Sequence, residues 1–122
     1  MEFKILYPTC NIDTLLDGRG GIFTWLPKEP IVEYSMLYFK PGKSRGFHYH
    51  PEFVEYILVV DGQGTMIIKK DKDQKIIHLS KGVSTRTGKN VYHAVHAITE
   101  LTLIAMLTKK WDDCKTPVVR VD

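Results

Sequence analysis

Short runs of β-branched and aromatic residues, each closed by a turn signal, fill this chain through most of its length. Ile31–Phe39 ends at Pro41-Gly42, and Phe53–Val60 ends at Asp61-Gly62-Gln-Gly64. Thr65–Ile68 leads into Lys70-Asp71-Lys72-Asp73, and Lys75–Leu79 follows. Val83–Thr87 precedes Gly88-Lys-Asn90, and Val91–Val95 and Leu101–Leu107 complete the series. Val, Ile, Tyr and Phe fit a pleated, half-buried surface, while Gly, Pro, Asn and Asp supply turn backbones. No stretch carries an amphipathic helical period, and there is no internal repeat. Strands with turns about every 8–12 residues predict an all-β antiparallel sandwich or barrel. A jelly roll is the version that rolls two sheets together and leaves an open mouth. Asp61-Gly62 between two apolar runs predicts a hairpin at that point. Met36, Met66 and Met106 read as core filler.

The 122 residues suit a single domain, 1–122, and a hydrophobic content of 43% is enough for one core. The N-terminal strands, 1–35, and the tail, 109–122, are expected to wrap the barrel or pack on a partner, with the tail offering an edge strand. A formal charge of +3 is mild. Lys69, Lys70, Lys72 and Lys75 read as a solvated hairpin tip, and no basic stripe interleaved with aromatics points to nucleic acid. No window approaches the ~20 apolar residues of a membrane span. The N-terminus lacks the apolar stretch of a signal peptide. The expectation is a cytoplasmic protein with neither a nucleic-acid nor a membrane partner. Cys10 and Cys114 match no zinc spacing and suggest no disulfide framework.

Chemistry concentrates in the middle of the chain. His48 and His50 stand at i and i+2, so on a strand they project to one face. With Glu55 and His93 they offer imidazole nitrogens and one carboxylate, a set suited to a divalent Fe, Mn, Ni, Zn or Cu ion. An ion held this way keeps open positions for substrate. If Glu55 faces inward, so do Ile57 and Val59, and a buried unpaired carboxylate is costly unless a cation meets it. If His93 faces inward, so do Val91 and Val95. The alternative is a hydrogen-bonded cluster of buried histidines and a carboxylate with no metal.

Arg45 lies three residues before His48, where a guanidinium would clamp a phosphate or carboxylate, or else pair with Glu52. Arg86 and Lys40 are weaker versions of the same idea. Tyr38 is a candidate pocket-lining general acid. Tyr49 and Tyr56 are out of phase with the ligands and are expected to pack between sheets or against a partner. His78 reads as surface or rim, and His96, three residues after His93, faces outward on a regular strand.

This pattern resembles the cupin superfamily. Gly42, His48, His50, Glu55 and Gly62 fill every position of the superfamily's first motif. Gly82 and His93 fit the second, in which Gly88, Asn90 and Ala97 replace the usual Pro, Gly and Asn. The two motifs span residues 42–97. The resemblance implies a double-stranded β-helix, or jelly-roll, barrel. It implies His48, His50, Glu55 and His93 as ligands of one divalent transition metal, and a homodimer. Arg45-Gly46-Phe-His48-Tyr-His50 is similar to a segment of small cupins that isomerise nucleotide-linked keto-sugars for bacterial surface polysaccharides. In those cupins the paired histidines act as acid and base. Together with the implied metal, which would polarise the carbonyl, the leading expectation is a metal-dependent sugar isomerase or epimerase. It would act on a phosphorylated or nucleotide-linked sugar, an anionic derivative held by Arg45 or Lys40. Two other readings stay open, an Fe(II)-dependent dioxygenase of a small molecule and a non-catalytic metal- or sugar-binding module.

Overall fold

Alternating apolar residues in short segments build strands here rather than helices. The computed structural model describes residues 3–9 and 15–121. The strands are β1 (Phe3–Leu6), β2 (Leu15–Asp17), β3 (Gly20–Ile22), β4 (Glu33–Phe39), β5 (Ser44–Tyr49) and β6 (Glu55–Asp61). They continue with β7 (Gln63–Lys70), β8 (Asp73–Ser80), β9 (Ser84–Thr87), β10 (Tyr92–Ala97), β11 (Leu101–Leu107) and β12 (Val119–Arg120). A 3-10 turn, Trp111–Asp113, precedes β12. Cys10 lies outside the described residues.

Two five-stranded antiparallel sheets face each other, in the orders β1-β9-β6-β11-β4 and β12-β5-β10-β7-β8, and β2-β3 forms a separate hairpin. This is the jelly roll expected from the strand cadence. The core lies between the sheets. Ile57 and Val59 of β6 meet Met66 and Ile68 of β7, Val95 of β10 and Leu101 and Leu103 of β11. Val91 joins them, so the inward parity read from Glu55 and His93 holds on both strands. Each large aliphatic side chain buried this completely stabilises the fold by about 1.5–3 kcal/mol. The tail does add an edge strand, since β12 pairs with β5 through Val119↔Tyr49 and Arg120↔His48.

Two expectations need correction. Asp61-Gly62 is not a hairpin, because β6 pairs with β9 and β11 while β7 pairs with β8 and β10. It is a corner at which the chain leaves one sheet for the other. Gly62 takes φ +95°, and a Cβ there would lie 1.9 Å from the Glu100 carbonyl oxygen, so the corner closes only on glycine. The predicted turn at Lys70–Asp73 is a true hairpin joining β7 to β8, with Asp71 in the left-handed region at φ 55°. Met36 is not core. Met66 is fully buried, but Met36 is 72% exposed on the outer face of β4 beside Tyr34 and Tyr38, and Met106 is only partly buried.

Candidate functional site

The site forms where the two halves of the barrel converge. His48 lies on β5 and His50 just beyond its end, and the two-residue period turns both inward. β10 lies beside β5 with His93 directly opposite His48. Glu55 opens β6 in the opposing sheet. The turn leading into β10 holds Asn90 at φ 66°, a left-handed conformation that asparagine tolerates. That explains how the second motif keeps its shape with asparagine in place of glycine.

One nitrogen from each of His48, His50 and His93 lies within 4.8 Å of the others. The backbone decides which nitrogen this is. His48 Nδ1 lies 2.8 Å from the Gly46 carbonyl oxygen, His50 Nδ1 2.9 Å from that of Pro117, and His93 Nδ1 2.9 Å from that of Val91. A carbonyl oxygen only accepts, so each Nδ1 carries a proton and donates it. The neutral rings therefore present Nε2 lone pairs. Nε2 of His50 and of His93 is buried and has no hydrogen-bond partner. Glu55 Oε1 lies 3.4 Å from His93 Nε2 and 3.8 Å from His50 Nε2.

Electrostatics follow from this packing. Burial pushes the His48 and His50 imidazoles below the usual histidine range, toward the neutral form. Burial alone would raise the Glu55 carboxyl. Its contact with His93 and the positive charge that His93, His50 and His48 carry when protonated outweigh that, and the group stays below the ordinary carboxylate value. An ionised carboxylate thus faces imidazole nitrogens left without donors. This arrangement fits a divalent transition metal, because the buried Nε2 atoms are orphaned and each ring is oriented by an Nδ1–H to carbonyl bond, as metal-ligating histidines are. It also fits a proton relay, in which a carboxylate stabilises the imidazolium formed when a ring takes a proton.

A cavity of about 460 Å³ opens onto this cluster, lined in part by His48, His50, Glu55, Arg45, Glu33 and Trp111. Arg45 is in the pocket as expected, with its guanidinium 5.7 Å above the Phe39 ring. Its alternative partner is taken, since Glu52 pairs with Lys109 at 2.9 Å and accepts the Thr116 N–H at 2.6 Å. Tyr38 requires correction. It alternates with the pocket-lining Leu37 on β4 and lies 52% exposed on the outer face, so within this chain it does not reach the pocket. Arg86 is bound to Glu29 rather than to the pocket. Lys40 is exposed and lies outside the lining. His78 meets Gln63, and His96 faces out to Ser44 at 2.6 Å despite a register shift in β10. Tyr49 stacks on Tyr92, and the buried Tyr56 hydroxyl donates to Glu29.

Sequence reasoning missed Glu33, Trp111, Pro117 and Arg120. Trp111 lies 6.2 Å from His50, centroid to centroid, and donates its backbone N–H to Glu33 at 3.1 Å. Arg120 lines the cavity from β12. The β12 pairing that brings it there could not be read from local composition.

Residues 15–115 match the family described as the polysaccharide biosynthesis C-terminal domain. A 3,4-ketoisomerase from Helicobacter canadensis superposes with a TM-score of 0.83 at 22% identity, over 99% of this chain and 92% of that one. The QdtA 3,4-ketoisomerase mutant from Thermoanaerobacterium thermosaccharolyticum, in complex with TDP-4-keto-6-deoxyglucose, gives 0.80 at 16%, over 98% and 88%. The capsular polysaccharide assembling protein CapF from Staphylococcus aureus gives 0.66 at 20%, over 86% of this chain and 31% of that one. At these identities the likeness is one of fold. No curated protein matches this chain in sequence.

Proposed function

The chain belongs to the polysaccharide biosynthesis C-terminal domain family, and from that premise we propose that it isomerises a nucleotide-linked keto-sugar. The observation that carries the reading is the pair of imidazoles, His48 and His50, both lining one pocket and each oriented by a backbone carbonyl at Nδ1, which leaves its Nε2 lone pair free. His50 is the better base. Its Nε2 is buried and partnerless, and the Glu55 carboxylate 3.8 Å away stabilises the imidazolium that results. In the proposed reaction His50 Nε2 takes the proton from the carbon beside the carbonyl, and the C–H electron pair forms an enediolate. His48 takes the proton of the neighbouring hydroxyl and passes it to the former carbonyl oxygen, and the His50 imidazolium returns its proton to the former carbonyl carbon, so both rings end neutral. No oxidant is consumed. The fold-level likeness to 3,4-ketoisomerases, one in complex with a TDP-sugar, supports this substrate class.

A second reading is favoured by the orphaned Nε2 atoms of His50 and His93. A divalent ion held by His48, His50, His93 and Glu55 would supply Lewis-acid polarisation of the carbonyl. The imidazole lone pairs would then be committed, and Glu33 is the remaining carboxylate on the pocket wall. The oxygenase alternative has no support beyond the ligand set. A homodimer fits the exposed Tyr34, Met36 and Tyr38 on the outer face of β4.

The test is solvent-deuterium exchange into a TDP-4-keto-sugar, with elemental analysis of protein purified without a histidine tag. Exchange that survives chelation but is lost in His50→Asn supports the acid–base reading. About one ion per chain, lost in His93→Ala together with exchange, supports the metal reading. Absence of exchange with every keto-sugar nucleotide overturns both.

A further inference from the structure

The C-terminal strand places a second guanidinium on the pocket. Arg120 on β12 stands directly opposite His48 on β5, and Arg45 lies on that same β5 strand. Both line the cavity that contains His48 and His50. Among the described residues neither forms an ion pair. The nearby acids are occupied elsewhere: Glu52 by Lys109 and the Thr116 N–H, Glu33 by the Trp111 N–H, and Glu55 by the imidazoles. Arg120 is close enough to His50 for its charge to help hold that ring neutral. Two exposed, permanently charged forks flank one mouth, and the chain invests backbone structure in keeping the second in place. β12 is pinned by the Val121 N–H to the Phe47 carbonyl at 3.1 Å. The segment before it is pinned by Glu52 to Thr116 and by Pro117 to His50.

We propose that Arg45 and Arg120 form a two-point clamp for the diphosphate of the substrate, an inference that rests on the nucleotide-sugar reading. Guanidinium forks match phosphoryl oxygens bidentately and stay charged at all working pH values. Two of them on neighbouring strands suit two linked phosphoryl groups better than a single phosphate or a carboxylate. Held there, the sugar beyond the diphosphate is directed inward, toward His48 and His50. Arg45 lies within the residues that match the family, 15–115, and Arg120 lies beyond them.

Calorimetric titration of the full chain with inorganic pyrophosphate and with orthophosphate tests it. Arg45→Gln and Arg120→Gln should each weaken pyrophosphate binding about tenfold and orthophosphate binding distinctly less. Lys72→Gln, the same charge change at the hairpin tip, should change either by less than about twofold. Arg120→Lys keeps the charge and the strand but loses the fork, and should fall between wild type and Arg120→Gln. Wild-type affinity in Arg120→Gln, equal losses in Lys72→Gln, or no pyrophosphate binding by the wild type would each overturn the clamp. Arginine-dependent pyrophosphate binding without deuterium exchange into any keto-sugar nucleotide leaves the clamp standing and removes the isomerase. Exchange that is indifferent to Arg120 removes the clamp alone.

Discussion

Replacing Phe53 tests whether packing behind His50 holds the site in register. The Phe53 ring is fully buried and stacks on the His50 imidazole, with centroids 4.5 Å apart and planes at 24°. Trp111 lies on the same cluster, 6.1 Å from Phe53. Phe53→Ala removes the phenyl group and leaves a void. Truncations of this kind cost about 3–5 kcal/mol, because a cavity adds to the lost transfer free energy. Against roughly 5–15 kcal/mol for a whole domain, the melting temperature should fall by about 10–20 °C. Phe53→Leu restores most of the volume and should cost about 1.5 kcal/mol or less. It does not restore the flat face that sets the plane of the imidazole. A reacting group displaced by a fraction of an ångström loses rate steeply, here about tenfold. The Leu variant should therefore unfold near the wild-type urea midpoint yet exchange deuterium about tenfold more slowly, with KM little changed. Full turnover in the Leu variant refutes the positioning argument. An Ala variant destabilised by less than about 1 kcal/mol refutes the packing argument.

Gly62→Ala should cost upwards of about 3 kcal/mol, since its Cβ would meet the Glu100 carbonyl oxygen at 1.9 Å. Gly82→Ala, at a similar φ of +91° with nothing within 4 Å, should cost only about 1 kcal/mol; equal denaturation midpoints for the two would contradict the corner geometry. The hydrogen bonds from Arg86 and Tyr56 hold Glu29 down from 4.5 to about 2. A depressed carboxyl contributes stability above its unfolded value and loses it as pH falls through the folded one. Stability should thus drop by about 1 kcal/mol between pH 4.5 and about 2, after discounting for exposure, and Glu29→Gln should abolish that part of the drop. Light scattering at micromolar protein should give the mass of a dimer; a monomer would remove the proposed role of the outer β4 face.

The features legible in the sequence were those with local periodicity. His48 and His50 were placed by the alternation of a strand, and Glu55 and His93 by inward neighbours, Ile57, Val59, Val91 and Val95, that the core contains. Strand β4 defeated the same logic. Its outer residues Tyr34, Met36 and Tyr38 are more apolar than Glu33 and Ser35, which line the cavity, so the usual rule of apolar residues inward points Tyr38 the wrong way. Asp61-Gly62 announced a positive φ but not which strand would pair next, because pairing is decided by contacts distant in sequence. Arg120 and Pro117 reach the site through β12 and a single carbonyl, and neither leaves a local signal.

The Pro117 carbonyl that orients the His50 ring comes from a stretch the family match does not include. Shortening the chain to residue 115 would keep every histidine and the carboxylate but release one imidazole to flip its tautomer. Sequence drift confined to the last handful of residues can therefore retune reactivity while the recognisable motif stays untouched. Tail exchange between relatives is accordingly a way to alter turnover without editing the barrel.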